Sequence, residues 1–476
     1  MAKNLLPKKS EDISEWYTAI VRLADLADYG PVKGTIIFKP YGYGIWERVQ
    51  AAMDPMIKAH GVDNAYFPLL IPMSFLEKEK SHVEGFSPEL AVVTHGGGEK
   101  LEEPVVVRPT SETIMYNSYA KWIQSWRDLP LKINQWNSVV RWEMRTAPFL
   151  RTSEFLWQEG HTAHATHEEA IETQNWAMDM YAKIYRDYFA LDGYIGFKSS
   201  SEKFAGADTT LTFESLMPSG KALQACTSHD LGQNFAKAFD VSFQDKEGNE
   251  SHVWQTSWGF STRSIGGLIL AHGDDNGLVL PPMLAPVQVV IVPVRPDNES
   301  LVTYAQKLAD TLAAADIRVK LDARDDESFG YRLNKWEVKG VPLVIKLGDR
   351  EMEANQATLK RRDTSVETTV ALDELVSSVS EQLTLVQSDM LAASTEWKQS
   401  QTREAKNYDE FKQILADHKG FVKVAWNDNP EIEAKIKADT KATSRCRLVD
   451  ETTDEGAVDF YTGEPAKDIW LFAQSY

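Results

Sequence analysis

Residues 141–161 contain the side chains whose types and spacing are best suited to chemistry. Arg141 and Glu143 lie two positions apart, and alternate residues of a strand point to the same face, so this spacing presents a cation and a carboxylate together. The same alternation predicts a shared face on a second strand for Phe155, Trp157, Glu159 and His161. Two such strands joined by a basic loop predict a floor that binds a nucleotide and a small polar ligand. Taken alone, an Arg-x-Glu pair favours an ordinary hairpin with surface ion pairs.

Three further segments supply polar and charged side chains. Residues 108–116 place Thr110 and Glu112 two positions apart, just before a predicted helix. The other two segments, residues 221–235 and 256–274, contain Gln224, Thr227, Ser228, His229, Ser257, Ser261 and Arg263. Because arginine is always charged and donates two hydrogen bonds at once to phosphate or carboxylate, the arginines favour chemistry at a phosphate group.

The elements that position these residues are predicted from periodicity. Four apolar residues recur at near-helical spacing: Ile45, Val49, Met53 and Ile57. From about residue 104 to 280, short strands alternate with helices, and Thr166 with Glu169 forms a capping box at the start of one helix. The pattern predicts an α/β protein.

A second unit is predicted after the prolines near residue 282. Residues 287–294 form an apolar run typical of a buried strand, and predicted helices at 301–314 and 331–339 alternate with further strands. This alternation predicts a mostly parallel sheet. The predicted domains are residues 1–284, 285–385 and 386–476.

Bulk composition excludes several classes of protein. The chain has 476 residues, a formal net charge of −19 and two cysteines. Two cysteines cannot form a disulfide framework, and no apolar run reaches the length of a membrane span, so we expect a cytoplasmic protein without a membrane segment. The negative charge argues against indiscriminate nucleic-acid binding but leaves room for a specific RNA site.

The arrangement of residues 141–161 resembles the second signature motif of class II aminoacyl-tRNA synthetases, and the sequence of residues 149–164, FLRTSEFLWQEGHTAH, is similar to that of the prolyl-tRNA synthetases. The helix and proline-terminated strand near residues 40–70 resemble the first motif, which forms the dimer interface in that family. Residues 256–274 resemble the third motif, in which a strand leads into a helix with an arginine in its first turn. The motifs occur in family order across nearly the whole chain.

The resemblance implies a fold and an activity. It implies an α+β catalytic domain with an antiparallel sheet, an α/β anticodon-binding domain and a small α+β C-terminal domain. The implied enzyme is a cytoplasmic homodimer that uses ATP and Mg²⁺ to join L-proline to tRNA(Pro) through prolyl-adenylate, releasing AMP and pyrophosphate. The interval from Trp157 to Ser257 is too short for the editing insertion of many bacterial-type enzymes, so we expect the archaeal/eukaryotic-like type.

The resemblance also implies residue roles. The attacking substrate carboxylate is already ionised, so catalysis rests on alignment and charge stabilisation. Arg141 would bridge the α-phosphate and the substrate carboxylate, Glu143 would position adenine, and Arg263 would contact the γ-phosphate or adenine. The implied ATP set is Arg141, Glu143, Arg151, Thr152, Phe155, Gln224, Thr227, Ser261 and Arg263. The implied proline set is Thr110, Glu112, Arg141, Trp157, Glu159, His161, Phe204, His229 and Ser257. Gln224 and Glu214 are the candidates for holding Mg²⁺.

Residues 332–362 carry a local excess of basic side chains in an acidic protein. By itself this pattern favours a solvated helix face. The domain resemblance instead implies anticodon recognition, with Tyr331 or Trp336 available to stack a base. The anticodon candidates are Arg332, Trp336, Glu337, Lys339 and Arg350.

The C-terminal unit departs from the family. Many relatives of this type hold zinc there with four cysteines, whereas this unit has only Cys446, so we expect no zinc site. Tyr476 ends a family-like tail that implies docking onto the catalytic domain. Cys226 is expected to be a buried, unreactive thiol, and we expect no metal site at His161, His164 and His167, whose spacing does not converge on a strand.

Two alternative functions remain open from the sequence. One is another class II synthetase of the same subgroup, such as the threonyl enzyme, whose zinc-binding pocket cysteine is not evident here. The other is a synthetase-like paralogue that binds ATP or a partner protein without charging tRNA. The intact set of Arg141, Glu143 and Arg263 argues against the second.

Overall fold

Helices and strands alternate throughout the computed structural model, which describes residues 6–78 and 90–476. The α-helices are Ile13–Leu23, Pro40–Ala59, Met73–Glu77, Glu112–Trp122, His167–Lys183, Asn234–Phe239, Arg263–His272, Glu299–Ala313, Phe329–Val338, Asp349–Glu353, Leu375–Ser400, Tyr408–Asp417 and Pro430–Thr440. A π-helical turn, Ile184–Tyr188, continues the helix His167–Lys183, and short 3-10 segments cover Trp126–Asp128 and Leu372–Glu374.

One sheet has eleven strands within the described residues, and the predicted residues Phe155, Trp157, Glu159 and His161 lie on one of them. In spatial order the strands are Thr402–Glu404, Phe421–Ala425, Asp468–Ala473, Thr443–Thr452, Tyr194–Phe197, Thr209–Leu216, Ala222–Gly232, Trp254–Ser261, Glu154–His164, Leu131–Val140 and Asp63–Asn64. Every pair is antiparallel except the pair at each edge, which is parallel. The fold class is therefore mixed α/β with an antiparallel-rich sheet, as predicted.

A separate five-stranded sheet forms the middle of the chain. Its spatial order is Val319–Leu321, Val289–Pro293, Leu343–Leu347, Gln356–Arg361 and Glu367–Ala371. Val289–Pro293 pairs in parallel with both neighbours, but the last two pairs are antiparallel. The prediction of a mostly parallel sheet is thus only half right, because the later strands follow one another through connections too short for a parallel crossover.

Three smaller sheets complete the strand inventory of the described residues. Their strands are Leu70–Pro72, Glu99–Val107 and Ala91–Gly96 in one, Ala27–Tyr29 and Ile36–Phe38 in another, and Ser242–Gln244 and Glu250–His252 in the third.

The helix Pro40–Ala59 packs its predicted apolar face into the catalytic core. Its four residues at helical spacing, Ile45, Val49, Met53 and Ile57, are each fully buried. At the sheet, Gly160 lies beneath the indole of Trp258, where an added Cβ would come within 2.1 Å of the ring. Half of the predicted capping box is confirmed, since the Thr166 side chain accepts from the Glu169 amide, but the Glu169 carboxylate accepts from the Ala165 amide at 3.2 Å and not from that of Thr166.

The C-terminal unit extends the catalytic sheet. The helix Leu375–Ser400 runs without interruption through residues 385 and 386, where the sequence placed a domain boundary. The strand Thr443–Thr452 then pairs with Tyr194–Phe197 of the catalytic part. The predicted docking of the tail is confirmed, because the Tyr476 amide donates to the Ala222 carbonyl at 3.1 Å.

A buried ion cluster joins the two parts of this sheet. Glu214 is fully buried, and its carboxylate lies 3.1 Å from the Lys198 ammonium and 2.9 Å from the Arg445 guanidinium. Burial alone would raise the pKa of Glu214, but the two cations outweigh it and lower the pKa. The carboxylate is therefore ionised and fully engaged in holding the C-terminal strand to the catalytic strands.

Two ion pairs fasten the five-stranded domain to the catalytic part. Arg362 donates twice to the Asp274 carboxylate, at 2.8 and 2.6 Å, and its side chain is only 4% exposed. Lys339 lies 2.8 Å from the Asp25 carboxylate. These contacts set the orientation of one domain on the other.

In the part of the chain that the structure describes, no helix combines the length and the apolar character needed to cross a bilayer.

Candidate active site

Two adjoining cavities open on one face of the eleven-stranded sheet. The first is lined by all of the residues predicted to bind proline: Thr110, Glu112, Arg141, Trp157, Glu159, His161, Phe204, His229 and Ser257. Gln224 and Thr227 also line it. The second is lined by Glu143, Arg151 and Thr152, and it shares four residues with the first: Arg141, Phe155, Ser261 and Arg263. The structure therefore brings both predicted sets to one continuous site.

The floor of the first cavity is formed by two antiparallel strands. Leu131–Val140 and Glu154–His164 pair so that Asn137 lies opposite Trp157 and Gln135 opposite Glu159. The predicted alternation holds, since Phe155, Trp157, Glu159 and His161 all line the cavity.

Arg141 is positioned differently from the prediction. The strand ends at Val140, so Arg141 and Glu143 do not share a strand face. Instead, Arg141 Nε donates to the Pro109 carbonyl at 2.9 Å, and the guanidinium lies 5.6 Å from the ring of Phe155. Glu143 lies in the following loop and accepts from the Arg145 amide at 2.7 Å. The arginine thus points between the two cavities from a loop braced by aromatic rings.

A buried network surrounds Glu159 beneath the first cavity. Its carboxylate accepts hydrogen bonds from Ser111 Oγ at 2.5 Å and Asn137 Nδ2 at 2.6 Å, and it lies 2.9 Å from His161 Nε2. Burial disfavours the charged form of Glu159, but the pairing with His161 and these hydrogen bonds outweigh it and lower the pKa of Glu159. The carboxylates of Glu112 and Glu159 likewise outweigh burial and raise the pKa of His161. The two residues form a buried ion pair.

Glu112 supplies a carboxylate at the first residue of the helix Glu112–Trp122. It is 2% exposed, and Thr110 Oγ1 donates to it. A helix N-terminus carries a partial positive charge that favours a carboxylate in this position. Glu112 can therefore face a cationic group of a ligand.

The opposite wall of the first cavity is neutral. Burial lowers the pKa of His229 to about 3, so its imidazole is uncharged at neutral pH. Thr210 Oγ1 and Thr227 Oγ1 lie 2.9 and 3.0 Å from its two ring nitrogens, and Phe204 stacks on it at 4.5 Å. This wall suits an uncharged, apolar part of a ligand.

The second cavity is positively charged. Arg263 begins the helix Arg263–His272, and its Nε donates to the Leu150 carbonyl at 3.2 Å. Burial and the neighbouring charges of Arg141 and Arg151 lower the pKa of Arg263. Three guanidinium groups that repel one another in a cleft stabilise a bound polyanion such as a triphosphate.

The magnesium prediction for Glu214 is contradicted. Its carboxylate lines neither cavity and is occupied by Lys198 and Arg445, so it has no position from which to bind a cation at the phosphates. Gln224, the other candidate, does line the first cavity.

Other metal candidates have different roles among the described residues, where no group of three or more His, Cys, Asp or Glu side chains is placed to hold a metal ion. Cys446 and Cys226 are both buried as free thiols, and burial raises the pKa of each. The Asp459 carboxylate of the C-terminal unit is used within the protein, since it accepts hydrogen bonds from the amides of Asn427 at 2.7 Å and Tyr461 at 2.8 Å.

Two of the anticodon candidates are structural. Arg332 is fully buried and donates to the carbonyls of Asp322 at 2.7 Å and Pro293 at 2.9 Å. Trp336 is 8% exposed and donates to the Asp322 carboxylate at 2.7 Å. Burial contradicts the prediction that these two residues contact RNA.

The remaining anticodon candidates divide between internal pairs and free surface. Lys339 pairs with Asp25, and Glu337 lies 3.7 Å from Lys360. Arg350 is exposed, and Tyr331 is 49% exposed at the start of its helix. Most of the basic excess is therefore neutralised within the protein.

Several residues of the site were missed by sequence reasoning. Glu202, Thr210 and Gly259 line the first cavity, and Asn137 lies directly behind it. Glu202 could have been noticed as an acidic residue two positions from Phe204. Asn137 had no sequence signal, because its role depends on the strand opposite.

The His161–Glu159 pair predicts a pH-dependent contribution to stability. Because the folded pKa of His161 is raised above its usual 6.5, the stabilisation is fully present below that value and is lost as pH rises through the raised pKa. The difference in thermal midpoint between the unmodified protein and His161→Gln should therefore shrink as pH rises above 6.5.

His164 provides a control of opposite sign. Its pKa is lowered to about 3 by burial, so keeping it neutral costs stability below its usual 6.5. His164→Gln should therefore gain relative to the unmodified protein as pH falls. The same pH trend in both variants would contradict the ion-pair assignment.

Comparison with known families gives three matches in chain order. Residues 96–272 match the tRNA synthetase class II core domain (G, H, P, S and T). Residues 288–382 match an anticodon binding domain, and residues 408–476 match the C-terminal family of prolyl-tRNA synthetase.

The full-length relatives compared by sequence are proline–tRNA ligases. The chain is 52% identical over 479 residues to the proline–tRNA ligase of Chlorobium chlorochromatii, with 99% of both chains covered. It is 50% identical over 473 residues to that of Rubrobacter xylanophilus, with 99% of this chain and 98% of the relative covered. The crystal structure of prolyl-tRNA synthetase from Cryptosporidium parvum, complexed with halofuginone and AMPPNP, is similar with a TM-score of 0.95, 41% identity and 99% of both chains covered.

Proposed function

Because the chain belongs to the prolyl-tRNA synthetase family of class II aminoacyl-tRNA synthetases, we propose that its first cavity binds proline and its second binds ATP. The chain catalyses the ATP-dependent attachment of L-proline to tRNA(Pro) through prolyl-adenylate, with release of pyrophosphate and AMP. The observation that carries the residue assignment is the continuity of the two cavities at Arg141, which lines both.

Activation of proline needs a carboxylate oxygen aligned with the α-phosphorus. Arg141, at the junction of the cavities, donates to the proline carboxylate and to the α-phosphate and brings the two anions together. Arg263 and Arg151 neutralise the remaining phosphates, Glu143 accepts from the adenine amino group, and Phe155 stacks on the base. Charge stabilisation of the pentavalent phosphorus by fixed guanidinium groups lowers the barrier without a covalent enzyme intermediate.

The proline pocket combines one charged side with one neutral side. The Glu112 carboxylate and the Thr110 hydroxyl accept from the secondary ammonium of proline. Trp157, Phe204 and the neutral His229 pack around the ring. The charged side contains His161, whose pKa is raised, and the neutral side contains His229, whose pKa is lowered, so the two imidazoles of one cavity shift in opposite directions.

Magnesium would be held by Gln224 together with the phosphates. Mg²⁺ keeps several waters and takes few protein ligands, so the single amide oxygen of Gln224 fits such a site. The ion would neutralise phosphate charge. We further propose that the protein is a cytoplasmic homodimer of the archaeal/eukaryotic-like type without a cis-editing domain and without zinc.

For tRNA binding, the exposed Tyr331 and Arg350 replace Arg332 and Trp336 as the proposed anticodon contacts. Tyr331 can stack on an unpaired base, and Arg350 can pair with a phosphate. The orientation of this surface toward the acceptor end depends on the ion pairs of Arg362 and Lys339 with the catalytic part.

Asp274→Asn is expected to separate the two half-reactions. Losing the charged partner of Arg362 should raise the KM for tRNA in aminoacylation by about tenfold, the scale of one charged hydrogen bond. Proline-dependent ATP–pyrophosphate exchange should not change, because it does not use tRNA. Asp275→Asn is the matched control, since Asp275 accepts from the Ser10 amide at 2.9 Å and from the Ser10 hydroxyl at 2.8 Å, both within the same domain. Equal loss in both reactions would contradict the positioning role.

The experiment that tests the assignment is ATP–pyrophosphate exchange with proline, threonine, serine and alanine. We expect strong exchange with proline and about a hundredfold less with threonine, which cannot fill the ring pocket. Stronger exchange with threonine would favour the threonyl alternative. An absence of exchange in folded, ATP-binding protein would favour the paralogue without charging activity.

A further inference from the structure

We propose that Asn137 is a specificity-determining positioning residue, which holds the Trp157 indole in place and thereby sets the size of the amino-acid pocket. The inference rests on the proposed proline site. Asn137 does not line either cavity, so it acts through the side chains that do.

Asn137 uses both ends of its amide. Trp157 Nε1–H donates to Asn137 Oδ1 at 2.6 Å, and Asn137 Nδ2–H donates to Glu159 Oε1 at 2.6 Å. An indole only donates and a carboxylate only accepts, so the two partners together require an amide in this orientation. The residue couples the ring wall of the pocket to the buried Glu159–His161 pair.

The other contacts of the indole are made by its faces and its carbon edge. Gly259 packs under it, and a Cβ added there would be 3.3 Å from Trp157 Cζ3. The Arg141 guanidinium lies 5.4 Å from the ring centre, and the ring of Phe155 lies at 6.0 Å in an edge-on arrangement. Rotation of an indole about its χ2 bond is governed by a broad torsional potential, so the hydrogen bond to Asn137 is the directional contact that selects one orientation. Without that bond the ring can turn about χ2, and this wall of the pocket is no longer fixed.

A fixed wall discriminates by ring size. Proline has a five-membered ring, and L-pipecolic acid is its homologue with one more methylene. One methylene in an apolar pocket changes discrimination by about 10–200-fold. A freed Trp157 indole should therefore let the pocket bind pipecolic acid better and proline less well.

The test is Asn137→Ala in ATP–pyrophosphate exchange with proline and with pipecolic acid. We expect the KM for proline to rise about three- to tenfold, the scale of one lost hydrogen bond, with no change in the KM for ATP. The kcat/KM ratio of pipecolic acid to proline should rise about tenfold.

Asn134→Ala is the matched control for damage to the strand. Asn134 lies on the opposite face of the same strand, and it also makes one donated and one accepted side-chain bond, to Asn64 at 2.7 Å and from Gln158 at 2.7 Å. This variant should leave the ratio unchanged even if its thermal midpoint falls. An equal change of the pipecolic acid to proline ratio in both variants would show that Asn137 has only a structural role.

Trp157→Phe separates this inference from the proposed function. It removes the indole N–H, so adding Asn137→Ala to it should no longer change the ratio. If Trp157→Phe alone leaves the KM for proline unchanged, the proposed proline site is wrong. A second outcome is that Trp157→Phe raises the KM for proline, but Asn137→Ala changes the kcat/KM ratio of pipecolic acid to proline equally with and without the indole. In that case only the role of Asn137 is wrong.

Discussion

Replacing Arg141 with alanine is expected to reduce proline-dependent ATP–pyrophosphate exchange by about 10³-fold or more, the scale on which a single arginine stabilises phosphoryl transfer. Arg141 lines both cavities, and the Pro109 carbonyl and the ring of Phe155 hold its guanidinium at their junction. The loss should fall mainly on kcat, because the contact strengthens as charge develops in the transition state.

Two further variants make the result specific. Arg141→Lys keeps the charge but cannot donate in pairs to two anions, so most of the loss should remain. Arg145→Ala removes an exposed arginine of the same loop while keeping the backbone bond to Glu143, and exchange should persist. Comparable losses in Arg141→Ala and Arg145→Ala would point to loop disorder instead of a direct role.

Replacing Glu214 with glutamine is expected to destabilise the protein by about 3–5 kcal/mol, the cost of leaving buried charge without its partner. The substitution leaves Lys198 and Arg445 together in a site where their side chains are 1% and 6% exposed. The urea midpoint should fall, and the C-terminal strands should lose protection first, since Arg445 reaches Glu214 from that unit.

The control for this variant is an exposed ion pair near the same interface. Asp468→Asn breaks the pair with Arg447, whose side chains are 46% and 40% exposed, and should cost less than about 1 kcal/mol. Replacing Lys198, Glu214 and Arg445 together with apolar residues of similar volume should be close to neutral. A large loss in that triple variant would mean that shape, not charge pairing, governs the site.

The sequence predicted most of the active site because its signals there are local. Side chains alternate along a strand whatever the strand pairs with, so Phe155 and Trp157 could be placed on one face. Arg263 could be placed in the first turn of a helix for the same reason. The motif resemblance then supplied the order of the segments and the chemistry they share.

The wrong predictions for Arg332, Trp336 and Glu214 share one physical cause, which is that charge along a chain does not reveal burial. Arg332 and Trp336 sit in a basic stretch, yet their polar atoms are used by Asp322 and Pro293. Glu214 has the right chemistry for a cation ligand, but its partner Arg445 comes from 231 positions away.

By itself, the sequence determined the family, the chemistry and the faces of the strands that carry it, because these depend on residue type and on repeats of two or four positions. The tertiary structure alone decided which charged groups remain available to ligands. It paired Glu214, Lys339 and Arg362 internally and placed three arginines in the lining of the second cavity. It also placed Asn137 behind Trp157, a contact that exists only because two strands pair in one register. Such pairings depend on distances between remote segments, and a linear pattern does not encode them.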